Sequence, residues 1–246
     1  MAELENAVPA PSLRDADEEA VRRMIGSVEP DLIIHTAAIS DIQTCEKNGE
    51  ASRRANVELP LWLVGTGVRT IIFSTDQVYS GCEGGGPYAE SEAKPANLYA
   101  THKLEMEQRT LALNPDTVLL RATWMYDMPM YGIANRGNFL VNMLRNSDIS
   151  FSSSQHRAVT YVREVASLIR KAALLPGGVY NYGSENGLTM METACWLRDR
   201  LALRIDIHDA GPRHHLWMDC SKAKRHGVAF RNTTEGLRQC IEDYGL

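Results

Sequence analysis

Ser74, Thr75, Asp76, Tyr99 and Lys103 are the residues whose types and spacing could do chemistry. A hydroxyl can hold a carbonyl oxygen by a hydrogen bond, and a phenol can hand that oxygen a proton. An ammonium near the phenol eases its ionisation. Tyr99 and Lys103 lie four positions apart. On a helix that places both on one face, one turn from each other. Ser74-Thr75-Asp76 closes the run Ile71-Ile72-Phe73, whose β-branched and aromatic residues suit a strand covered on both faces. Open parallel sheets place their ligands at the carboxyl ends of their strands.

The elements that must position these groups can be read in order. A helix is expected over 17–25, capped by Asp15 or Asp17. A second buried strand spans 31–36 and runs into Ala37-Ala38-Ile39-Ser40. Small residues there admit a ligand or, equally, a tightly packed helix. A helix follows over 50–65. Gly65-Thr66-Gly67 closes that helix and precedes a strand, so it reads as a C-cap and not as a dinucleotide fingerprint. The strand 70–74, a loop over 81–95, a helix over 97–113 and a strand over 117–121 complete an alternation that predicts a parallel sheet with helices on both faces. Past Tyr126 the order loosens. Helices are expected over 138–145, 160–175 (capped by Thr160), 189–203 (capped by Thr189), 221–226 and 233–244 (capped by Thr233 or Thr234), with one short strand over 178–182.

Composition bounds the function. A net charge of −5 gives no reason to expect nucleic acid as a partner. No window of about 18 apolar residues marks a membrane span, and the first residues lack a signal-peptide layout. The five cysteines are scattered, form no metal-type pair and read as reduced thiols of a cytoplasmic protein. No metal site is expected.

An ordered set of motifs then carries a resemblance: P-D-L-I-I-H-T-A-A-I-S, A-N-V-E-L-P, F-S-T-D-Q-V-Y-S-G, P-Y-A-E-S-E, P-A-N-L-Y-A-T-H-K-L-E-M-E, L-R-A-T-W-M-Y, T-Y-V-R-E-V-A and M-D-C-S-K-A-K. From about residue 13 onward the chain resembles the extended short-chain dehydrogenase/reductases, specifically the dTDP-4-dehydrorhamnose reductase-like group. The resemblance implies a doubly wound, Rossmann-like α/β fold with a smaller C-terminal substrate-binding portion. Residues 1–125 would form the dinucleotide-binding domain and 126–246 mainly the substrate-binding portion, with 160–182 packing back on the sheet. It implies NADPH-dependent reduction of a 4-keto sugar nucleotide, with NADH as the alternative cofactor and a homodimer as one possible assembly. Tyr99 would be the general acid. Lys103 would bind the nicotinamide ribose and favour a lower Tyr99 pKa. Thr75 would hold the substrate carbonyl beside Ser74. Ala37, Ala38, Ser40 and Ser74 would line the cofactor, Asn56 would hold the strand end, and Trp124 would pack on the sugar. The bland alternatives are a surface Tyr-Lys pair and a core Trp.

Departures from the group's pattern set further expectations. Gln77 stands where the group has an aromatic, which bears on substrate fit. His102 stands where it has a small hydroxyl residue, and is expected to face solvent. Arg14 is near the position that chooses between a ribose hydroxyl and a 2′-phosphate. No G-x-x-G-x-x-G or G-x-G-x-x-G occurs. The group's first strand, glycine loop and first helix would precede residue 7, and residues 1–5 resemble the end of that helix. The expectation is an N-terminally truncated sheet without its phosphate cradle, with weak NADPH binding and lost activity. A regulatory subunit that binds NADP and a partner protein without turnover, or a non-binding fragment, are the competing expectations.

Overall fold

The computed structural model describes residues 7–129 and 137–246. The reading of residues 1–5 as a helix end lies outside them. The first half runs α1 (Glu18–Val28), β1 (Ile33–His35), α2 (Ile42–Lys47), α3 (Gly49–Arg53), a π turn (Arg54–Glu58), α4 (Leu59–Val64), β2 (Thr70–Thr75), α5 (Leu98–Leu113) and β3 (Val118–Ala122). The second runs β4 (Trp124–Tyr126), α6 (Phe139–Arg145), β5 (Asp148–Phe151), β6 (Val159–Tyr161), α7 (Val162–Ala172), β7 (Gly178–Tyr182), α8 (Met190–Arg200), β8 (Asp206–Asp209), α9 (Ser221–Arg225) and α10 (Thr233–Tyr244).

β1, β2, β3 and β7 lie side by side in that order, all parallel. Parallel neighbours need long crossovers, which the helices supply. Successive residues of a strand face opposite ways, and both faces are covered here. Ile72 and Leu119 pack with Val57, Val64 and Met106 on the side of α4 and α5. Ile71, Val118 and Leu120 pack with Val165, Leu168 and Ile169 of α7 on the other side. The fold is therefore a doubly wound α/β sheet. β1 is its outer strand, and among the described residues nothing pairs with its outer edge.

A second core gathers Tyr126, Phe139, Met143, Leu197 and Leu237 from β4, α6, α8 and α10. Two small parallel pairs, β4 with β6 and β5 with β8, flank it.

The differences from the sequence expectations lie mostly in this half. β4, β5, β6 and β8 are three or four residues long, too short for a periodic signal. Thr160 is not a helix cap but the middle of β6. Its hydroxyl shares a 2.8 Å hydrogen bond with Thr123 and accepts from the Ser184 N–H at 2.8 Å. The helix begins at Val162 instead. α10 is capped by Asn232 in a capping box with Glu235, while the Thr233 hydroxyl bonds to the backbone of Val159. His102 does not face solvent. It is 7% exposed and its Nδ1 lies 2.9 Å from Ser52 Oγ.

Candidate active site

The strand end and the helix that matter are tied together by a few polar side chains. Thr75 ends β2, and its Oγ1 accepts from the Gln77 N–H at 3.2 Å, capping the 3-10 turn Asp76–Tyr79. Asn97 caps α5 by accepting from the Ala100 N–H at 2.8 Å. Its Nδ2 reaches back to Gln77 Oε1 at 3.3 Å and to Ser80 Oγ at 3.4 Å. The first turn of α5 is thereby held against the turn that follows β2, which brings Tyr99 opposite Thr75.

Tyr99 is buried. Burial pushes its hydroxyl up to about 12, the nearby Thr75 side chain opposes this, and Asp76 and Cys45 add to the rise. Tyr99 is thus a phenol throughout the neutral range. The expected lowering by Lys103 is not found. The Lys103 ammonium turns into the sheet and donates to the Phe73 carbonyl at 2.6 Å. It is 1% exposed. Burial lowers its pKa to about 8, against the pull of Glu107 one turn further on. His35 at the end of β1 feels the same ammonium. Burial first, and Lys103 second, depress it to about 3, so it is neutral. Its Nε2 has no hydrogen-bond partner among the described residues.

Asn56 sits on the π turn with its side chain fully buried, and clamps the chain after β1. Its Nδ2 donates to the Ile39 carbonyl at 2.9 Å and its Oδ1 accepts from the Ile39 N–H at 3.2 Å. Ala37, Ala38 and Ser40 are exposed beside it at the open strand end. Ser74 points elsewhere. Its hydroxyl donates to Glu107 at 2.5 Å, within a buried network in which Glu107 pairs with Arg121 at 2.6 Å and Arg121 donates to Tyr79 Oη at 2.8 Å. Strand alternation puts Ser74 and Thr75 on opposite faces, so Thr75 stays outside that network. Trp124 is half-buried, its ring T-shaped to Phe139 and its face under the Arg157 guanidinium, 5.4 Å from the ring centre.

Sequence reasoning did not single out the Asp76–Arg157 ion pair or the Glu107–Arg121 network. Asp76 was visible within Ser74-Thr75-Asp76, but no local signal marks Arg157. Among the described residues no cluster of His, Cys, Asp or Glu could hold a metal ion.

The model of the RmlD substrate binding domain family matches residues 5–245. The chain belongs to this family. Among known relatives of this RmlD-family chain, methionine adenosyltransferase 2 subunit beta of Xenopus laevis is 28% identical over 248 residues, covering 92% of this chain and 74% of that protein. Spore coat polysaccharide biosynthesis protein SpsK of Bacillus subtilis is 24% identical, covering 78% and 69% respectively. The structure of dTDP-4-dehydrorhamnose reductase from Bacillus anthracis in complex with NADP superposes with a TM-score of 0.81 at 21% identity, over 92% of this chain and 84% of that one. UDP-glucose 4-epimerase of Thermotoga maritima with UDP-glucose gives 0.79 at 21% identity, over 95% and 82%. Both structures share the fold of this RmlD-family chain.

Proposed function

We propose that this chain reduces a 4-keto sugar nucleotide with NADPH, NADH being the alternative donor. The observation that carries the reading is the buried Tyr99 hydroxyl facing Thr75 at the carboxyl end of β2, with Lys103 one turn along the same helix. The residues present fit the nicotinamide end of such a cofactor. Lys103 has three N–H groups and one hydrogen bond among the described residues, to Phe73. Ala37 and Ala38 leave the strand end open to a flat ring. NADPH, when bound, would supply the hydride to the carbonyl carbon. Thr75 would hold the substrate oxygen by its hydroxyl, and Tyr99, kept protonated by burial, would donate the proton. Lys103 would hold the ribose, Asn56 would keep the loop after β1 in place, and Trp124 would border the sugar. Residues 1–125 would bind the cofactor and 126–246 mainly the substrate. The NADP and nucleotide-sugar complexes of the two structural relatives support the choice of ligands.

A second reading has its own support. Methionine adenosyltransferase 2 subunit beta bears the name of a subunit and matches 92% of this chain. In that reading the chain binds NADP beside a partner protein and turns nothing over. NADPH oxidation against a panel of 4-keto sugar nucleotides, with NADPH affinity measured in parallel, separates the two. Oxidation of NADPH by one substrate supports the reductase. Tight NADPH binding without oxidation supports the subunit, and the absence of both binding and oxidation would sink both readings.

A further inference from the structure

Asp76 and Arg157 join the two cores beside Tyr99, from positions 81 apart in the sequence. Asp76 opens the turn after β2 and its side chain is 2% exposed. Its carboxylate accepts from Arg157 Nε at 3.0 Å and Nη2 at 3.3 Å, and Thr75 Oγ1 donates to it at 3.4 Å. Arg157 precedes β6 and is itself held from three directions. Its carbonyl accepts from Asn186 Nδ2 at 3.0 Å, its backbone bridges to Leu216, and its guanidinium lies over the ring of Trp124. A buried carboxylate is costly unless paired, and an ion pair in such a place is often no more stabilising than apolar residues of the same volume. Stability therefore gives a weak account of this pair, whereas its contact with Thr75 gives a direct one.

We propose that Asp76 and Arg157 are a positioning pair, in which Arg157 grips the turn after β2 from the substrate side and so fixes the Thr75 hydroxyl opposite Tyr99. The proposal rests on the reductase reading for its kinetic consequence. Its geometry does not depend on that reading. The ionisable groups around it are few. Burial pushes the Asp76 carboxyl up, and the Arg157 guanidinium, the Thr75 hydroxyl and His214 oppose it; Asp76 and Cys45 in turn add to the burial-driven rise of Tyr99.

The test uses the full chain with Asp76→Asn, Arg157→Gln, the double variant and Arg157→Lys. Misplacing a reacting group by about 1 Å costs on the order of a hundredfold in rate. Each single variant should lose kcat on that scale while the Kd for NADPH stays unchanged. The double variant should be no worse than the poorer single one, since the two side chains act as a unit, and Arg157→Lys should recover part of the loss. Unchanged kcat in either single variant, or losses that simply multiply, would overturn the proposal. Should a single variant fail to fold, the double variant leaves no buried charge unpaired. Its kcat should still fall, and a wild-type value would overturn the idea. If the wild-type chain reduces no substrate, the reductase reading fails, and the pair is then judged by the crystal structure of Arg157→Gln, in which the Thr75 hydroxyl should leave its place; an unmoved Thr75 refutes the pair.

Discussion

Lys103→Met should make the protein more stable at neutral pH while weakening its hold on NADPH. Burial lowers the Lys103 pKa from 10.5 to about 8. At ~1.4 kcal/mol per pKa unit, keeping the charged form inside the fold costs about 3 kcal/mol at pH 7. Methionine is unbranched and fills the same channel without that cost. The Phe73 carbonyl loses its 2.6 Å donor, a loss of roughly 1 kcal/mol. Glu107 keeps Arg121 as its partner, so no charge is stranded. The net gain of about 1–2 kcal/mol corresponds to a rise of roughly 2–8 °C in Tm for a chain of this length. The sign can be followed with pH. The unfolded chain holds the Lys103 proton more tightly than the folded one. The penalty is therefore full below about pH 8 and fades as pH rises towards 10.5, so the gap between variant and wild type should close over that window. Thermal melts across pH 7–10.5 read the effect, with NADPH titration beside them. A variant that melts below wild type at pH 7 would show that the ammonium is stabilised by contacts stronger than its desolvation. Unchanged NADPH affinity would remove Lys103 from the ribose.

Three further outcomes are expected. Tyr99→Phe should cut reductase turnover by about 10²–10⁴-fold, the usual worth of a positioned general acid, with NADPH binding kept; turnover near wild type would remove Tyr99 from the chemistry. His35, whose folded pKa of about 3 lies below its ordinary value of 6.5, contributes stability that is full above about pH 6.5 and is lost as pH falls towards 3. That loss is roughly 2 kcal/mol by pH 5, and a His35→Leu chain that loses stability as steeply as wild type over that range would refute it. Arg121→Met strands Glu107 inside the fold and should cost about 3–5 kcal/mol in denaturant titrations, while the double replacement with Glu107→Leu should recover much of it.

The main sheet was legible because its strands are covered on both faces and its helices carry strong caps. Ile71-Ile72-Phe73 and the Asp17 cap, one of the two expected there, can be read from a few neighbouring residues, whereas Asn97, read as the first helical residue, proves to be the cap. The Tyr99–Lys103 spacing on one helix and the hydroxyls at the strand end were readable in the same way. What escaped was long-range. β6 became a helix cap on paper because Thr160 precedes an amphipathic run, and only its pairing with β4 reveals a strand. The direction of the Tyr99 shift was misjudged because spacing along α5 does not say where an ammonium points. Lys103 finds the Phe73 carbonyl across the sheet, which no local pattern encodes. Arg157 meets Asp76 from the far core for the same reason.

Thr123 alone separates β3 from β4, so one extended run of backbone serves both cores like a shared beam. The crossing is tight. A methyl group added at Gly183 would come within 2.7 Å of the Thr123 side chain, and Thr123 and Thr160 lock hydroxyls there. β7 and α7, which follow the crossing, return to cover the first sheet. Expressing the two halves as separate pieces would therefore strand a strand of the first core on the second piece. A reporter domain spliced in at this crossing would have no slack to occupy.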